Sequence, residues 1–325
     1  MSKKQDIIDA LNCREPRGSV PIWELEFHVW DAASGKHVIL GPEFEKLSPA
    51  KQERALQTNA DIFVQVCQEL HHAAVTCPAG YWNVGPGQLA YFILPGDYKF
   101  KQVEALKRIC PKDLLIAGNT GGVIGMPGAD NYVQFAYKLY DAPQDIDKQA
   151  QDTLQAGLAN VRRMKDCGAD IVFTASDLAD NHGPFYNPEQ MRRFVYPYLA
   201  DFAKEVKKLG LFSVIHTDGN LNDCVKDIAA TGIHAMQAVD PVAGMDLKET
   251  LDKVRGKMCL VGNVDCGILL TSTPDRIYED VRAKLQTCKS FGGWVLGASN
   301  AVQPEVPMQN YRAMIQAWVD YGKYA

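Results

Sequence analysis

The sequence lacks most of the features that would assign it at once. No apolar run approaches the roughly 20 residues that a membrane-spanning helix requires. The opening Met1-Ser2-Lys3-Lys4-Gln5-Asp6 has no apolar signal core behind it, so a cytoplasmic location is expected. No linker, internal repeat or low-complexity tract interrupts the chain. Residues 1–325 are therefore read as one domain, whose first helix is an N-terminal extension. There is no basic run and no interleaving of aromatics with cations, and the net charge is −5, which argues against a nucleic-acid partner. Nine cysteines are present, but no Cys-x-x-Cys pair, so they are expected as small buried hydrophobes or ligands. Asn119-Thr120-Gly121-Gly122 lacks the spacing of a Walker or Rossmann loop and is read as a tight turn between elements.

What is present is a repeated pattern in the second half. A helix ends at glycine, a short apolar strand follows, and polar residues appear where the strand stops. Cys167-Gly168-Ala169-Asp170 leads into 171–177, Gly210 into 211–218, and Gly232 into 233–240. Two more such strands span 257–266 and 293–300. Glycine suits the position after a helix because it accepts positive φ, and repeated helix–strand units imply parallel strands. With strands at 20–23, 73–77 and 114–117, the count reaches eight. The expected fold is α/β, a closed (β/α)8 barrel. Helices are expected at 2–12, at 48–70 behind a Ser48 cap with Pro49 in its first turn, and at 307–323.

In such a barrel the reacting groups stand at the C-terminal ends of the strands. Those ends carry Asp177, His216, Asp218, Asp240, Cys266 and Asn300. Alternate residues of a strand point the same way, so His216 and Asp218 face the mouth together. Imidazole, carboxylate and the Cys266 thiolate form a donor set suited to Zn²⁺. The competing account makes His216 a structural histidine and Cys266 a buried thiol, or leaves Asp218 to orient the histidine. Asp177 is open to three readings: general acid, ligand, or helix N-cap. Glu24 and Glu26 follow the first strand and are expected on one face, with Glu24 a catalytic candidate. Trp23, Phe27, Tyr81 and Trp82, with Glu26, Asn119, Asn181 and Asn300, suggest a substrate pocket lined by aromatics and amides. Core packing or a homodimer interface is the alternative for the aromatics.

The chain resembles the uroporphyrinogen decarboxylase superfamily. The likeness is carried by His216-x-Asp218-Gly219-Asn220, Gly262-Asn263-Val264-Asp265, Thr273-Pro274, Gly292-Gly293-Trp294-Val295-Leu296 and Pro307-x-x-Asn310. The superfamily has a decarboxylase branch and a branch of zinc-dependent methyltransferases that work with corrinoid proteins. The decarboxylases hold substrate carboxylates with an arginine-bearing N-terminal run, whereas Pro21 to His28 here contains no arginine. The coenzyme M methyltransferases use His-x-Cys and a later cysteine as zinc ligands; here Asp218 and Asn300 stand at the two cysteine positions. The resemblance implies Zn²⁺ on His216 and Cys266, completed by Asp218 or Glu24, with Asp177 as acid. It implies methyl transfer from a methoxylated aromatic compound to cob(I)alamin, an O-demethylation; the alternatives are a methylcobalamin-dependent transfer with another small methyl donor or acceptor, or a decarboxylase-like lyase. No Asp-x-His-x-x-Gly motif occurs here, so the cobalamin would ride on a separate corrinoid protein.

Overall fold

The computed structural model of the chain describes residues 2–78 and 94–324. Seven parallel strands form one sheet: β1 (Ala74–Thr76), β2 (Leu115–Asn119), β3 (Ile171–Ala175), β6 (Phe212–Thr217), β7 (Ala235–Ala238), β8 (Cys259–Val261) and β9 (Trp294–Val295), in that spatial order. A two-stranded antiparallel ribbon, β4 (Ala179–Asp180) and β5 (Gly183–Pro184), stands in the connection after β3. The sheet closes through the segment around Ile22, which makes parallel bridges to His72 on one side and Leu296 on the other. Ala73 N donates to Ile22 O at 2.7 Å, Trp23 N to Leu296 O at 3.0 Å, and Leu296 N to Pro21 O at 2.9 Å. The eighth expected strand is thus present as two bridges rather than a regular strand, and it completes the barrel.

Alternation along the strands sorts the core into two regions. Val214, Ala235, Cys259, Val261, Val295 and Trp23 fill the barrel interior. Their neighbours in sequence, such as Ile215, Met236 and Leu260, face the helical layer. The Lys3–Leu11 helix, capped by Ser2, inserts Ile7 and Leu11 into the interior cluster. It does so at the N-terminal end of the barrel, where Gly293 lies against Cys13. That end is plugged with apolar side chains, each worth about 1.5–3 kcal/mol when fully buried. Polar groups are left to the opposite end.

The helix at Pro49–Glu69 starts as expected, but Ser48 makes no side-chain cap bond. The long excursion after β2 folds into helices Tyr132–Asp141 and Pro143–Cys167. The latter ends at Gly168, whose φ of 102° is left-handed, as the glycine pattern implied. Gly157 of that helix lets it touch the turn after β2, since a Cβ there would stand 2.3 Å from Gly122 Cα. Among the described residues, no helix is long and apolar enough to cross a membrane.

Candidate functional site

The site begins with β6. His216 points inward with 1% of its side chain exposed, paired in register with Ala175 of β3 and Gln237 of β7. Its Nδ1 hydrogen-bonds the Gln237 side-chain oxygen. Gln237 is oriented in turn by its Nε2, which donates to Ala298 O at 3.4 Å. With an oxygen facing Nδ1, the neutral ring carries its proton there and leaves Nε2 as the acceptor. Nε2 lies 3.8 Å from Asp177 Oδ1 and 3.9 Å from Asp218 Oδ2. One ligand atom from each of the three residues falls within 4.8 Å of the others.

The carboxylates are held by the loops that follow the strands. Asp177 Oδ1 accepts from Asp218 N at 3.1 Å, and Asn300 Nδ2 donates to Asp218 Oδ2 at 2.5 Å. Gly219 allows this loop to lie against the β4–β5 ribbon, because a Cβ there would come within 2.5 Å of Ala179 O. Among the described residues, the second oxygen of Asp218, Oδ1, is buried without a hydrogen-bond partner. Burial pushes the Asp218 carboxyl up to about 6, against the pull of His216; Asp177, Asp240 and Glu26 add to the rise. Burial pulls His216 down, but Asp218, Glu26 and Asp177 outweigh it and hold the ring above its ordinary value. An acceptor nitrogen, two converging carboxylates and an unsatisfied buried oxygen fit a divalent cation. The nitrogen–oxygen donor set falls within what zinc accepts.

A cavity of about 310 Å³ opens beside this cluster. Its described wall carries five carboxylates, Glu26, Asp177, Asp218, Asp240 and Asp265, with Asn181, Asn300 and Cys266. Asp177, Asn181 and Asp218 also border a second cavity, beside the β4–β5 ribbon.

Several expected residues meet here and several do not. Asp177, Asp218, Glu26, Asn181 and Asn300 reach the cavity. Asp177 caps no helix, since the β4–β5 ribbon follows it. Cys266 does not end a strand: β8 stops at Val261, and Cys266 opens the helix Cys266–Thr271 behind its cap Asp265. It lines the cavity but is not part of the three-residue donor cluster. Its Sγ accepts from Asn300 N at 3.2 Å and lies 3.6 Å from Ser299 Oγ. Burial pushes this thiol up to about 12.

Glu24 and Glu26 do not share a face. Glu24 is 3% exposed and turned outward, accepting from Tyr311 Oη at 2.9 Å and from Ala298 N at 2.9 Å. A bend at Leu25–Glu26 swings only Glu26 into the mouth. Trp23 is fully buried in the interior, its Nε1 donating to Thr76 Oγ1 at 2.9 Å. Phe27 packs edge-on to Trp30, His72 and Tyr311 and borders a small side cavity of about 20 Å³. Asn119 builds its own turn, its Oδ1 accepting from Gly121 N at 2.9 Å. Tyr81 and Trp82 lie outside the described residues. Gln237, against His216 Nδ1, and Asp265, in the cavity wall, are residues of the candidate site that sequence reasoning missed. A glutamine at an inward position in Ala235-Met236-Gln237-Ala238, one strand from His216, was the available signal for the first.

Residues 97–321 match the uroporphyrinogen decarboxylase (URO-D) family. The chain belongs to that family. The chain is 28% identical to the uroporphyrinogen decarboxylase of Coxiella burnetii over 185 residues, covering 55% of the chain and 48% of that protein. It is 22% identical to the methylcobamide:CoM methyltransferase MtbA of Methanosarcina mazei over 225 residues, covering 68% and 62%. The chain thus spans about half the length of the first of these relatives, and under two thirds of the second. A solved methyltransferase from Methanosarcina mazei superposes with a TM-score of 0.69 over 99% of both chains, at 19% identity, which confirms the URO-D barrel as the fold.

Proposed function

We propose that this URO-D family member is a methyltransferase, moving a methyl group from a methoxylated aromatic compound to the Co(I) of a cobamide carried by a separate corrinoid protein. The observation that carries the reading is the His216, Asp177 and Asp218 cluster in a cavity whose described wall has five carboxylates and no lysine or arginine. A uroporphyrinogen, with its many carboxylates, needs cations and would be repelled there. Likeness to MtbA and to the Methanosarcina mazei methyltransferase supports the same branch.

His216, Asp218 and Asp177 would hold zinc. When bound, the metal supplies a Lewis acid for the ether oxygen. The Gln237 bond keeps the His216 acceptor nitrogen aimed at the cluster, and Asn300 fixes the Asp218 rotamer. Asn181 and Asn300, both in the cavity wall, would hydrogen-bond the leaving oxygen. The methyl carbon leaves oxygen with the bonding pair remaining there, giving a phenolate, while Co(I) supplies the pair for the new carbon–cobalt bond. The chain's contribution is orientation and activation of the leaving group.

The test has two parts. Metal analysis of untagged protein should find about one zinc per chain, lost in His216→Ala. Addition of a methoxylated aromatic and protein to a corrinoid protein in the Co(I) state should bleach the Co(I) absorbance. Zinc-free protein after reconstitution, or no bleaching with any methoxylated aromatic, refutes the proposal.

A further inference from the structure

The charge of the cavity constrains the donor more closely than the reaction does. A divalent ion on His216, Asp177 and Asp218 would balance two of the five carboxylates, leaving Glu26, Asp240 and Asp265. Glu26 Oε2 is buried with no hydrogen-bond partner among the described residues and lies 3.9 Å from His28 Nε2. Asp240 accepts from Val242 N at 2.9 Å, and Asp265 from Gly267 N at 2.7 Å and Ile268 N at 3.2 Å. These backbone bonds fix the two side chains without cancelling their charge. No lysine or arginine appears in the described wall, and residues 79–93 contain no lysine, arginine or histidine in their sequence. The apolar part of the described wall includes Val242 and Ala301, a surface for one ring face close to Asp240.

We propose that the pocket selects methoxylated rings whose remaining substituent is cationic, tolerates neutral rings and rejects carboxylated ones, with Asp240 and Asp265 setting the selection. This rests on the aryl-ether reading above. A methoxybenzylammonium would lay its ring on Val242 and Ala301 and carry its ammonium to the two aspartates. A methoxybenzoate would set its charge against both.

The experiment measures binding of 3-methoxybenzylamine, 3-methoxytoluene and 3-methoxybenzoate to the protein at pH 7.5, by calorimetry or ligand-observed NMR. Benzylamine and benzoate serve as partners without the methoxy group. Affinity should fall in the order amine, neutral, carboxylate, each step about tenfold, the scale of one charge acting across a partly wet pocket. The order should compress by about tenfold in Asp240→Asn/Asp265→Asn and with added salt. Asparagine keeps the shape of both side chains and still caps the Cys266–Thr271 helix. Equal or tighter binding of either carboxylate, no binding of any compound, or an order unchanged in the double variant overturns the inference. Failure of the two proposals is distinguishable. Charge-ordered binding without methyl transfer removes the aryl-ether reading alone, and methyl transfer without charge order removes the inference alone.

Discussion

Glu24 sits in a buried chain of polar groups that should tie stability to pH. Cys67 Sγ lies 3.7 Å from His72 Nδ1, His72 Nε2 lies 2.8 Å from Tyr311 Oη, and Tyr311 Oη is 2.9 Å from Glu24 Oε1. Burial pushes the Glu24 carboxyl from an ordinary 4.5 up to about 8, despite the bonds from Ala298 N and Tyr311. Burial takes His72 down to about 3, so that ring is neutral and offers Glu24 no charge. Between pH 4.5 and 8 the folded protein keeps a proton on Glu24 that the unfolded chain releases. The unfolded state then binds fewer protons, so stability is fully present below pH 4.5, falls through that window and is level above pH 8. At about 1.4 kcal/mol per pH unit the fall amounts to about 5 kcal/mol. Glu24→Gln keeps the shape and removes the titration. Its amide can accept from Ala298 N and donate to Tyr311, whose hydroxyl then turns to His72. Urea unfolding of both proteins at pH 5, 7 and 9 isolates the effect in the difference between them. The variant should gain on the parent by several kcal/mol from pH 5 to pH 9. A difference constant across pH would refute the argument.

Three other outcomes follow from the site and the core. Asn300→Ala frees Asp218 Oδ2 and should weaken zinc about 10- to 100-fold, read by competition with a chromogenic chelator; unchanged affinity would remove Asn300 from the site. Cys266, with its thiol pushed up to about 12, should react slowly with iodoacetamide at pH 8. Stripping metal should not speed that reaction, and a sharp acceleration in peptide mass spectrometry would make Cys266 a ligand after all. Trp23→Ala, which empties the barrel interior and abandons Thr76, should cost about 3–5 kcal/mol in denaturant unfolding; a loss under 1 kcal/mol would contradict its placement.

Period and punctuation made much of the barrel legible. The strand at Phe212–Thr217 lies within the run expected from Gly210 onward, and His216 faces inward as alternation requires. Where the period failed, a local event intervened. The run 257–266 gives a regular strand at Cys259–Val261; Gly262 takes a left-handed φ of 133°, one further bridge joins Val264 to Ala298, and the chain then turns into the helix that Cys266 opens. The same holds for Glu24 and Glu26, whose shared parity is undone by one bend.

The sequence by itself determined the strand order along the chain, the polar residues at the strand ends and the pairing of His216 with Asp218, because these depend on neighbours a few residues apart. Only the tertiary structure brought Asp177 within 4.8 Å of His216 and Asp218, set the Gln237 oxygen against His216 Nδ1, and put Glu24 in the outer core. Those choices turn on distances of a few ångströms between strands far apart in the chain. Spacing along a single strand carries no information about them.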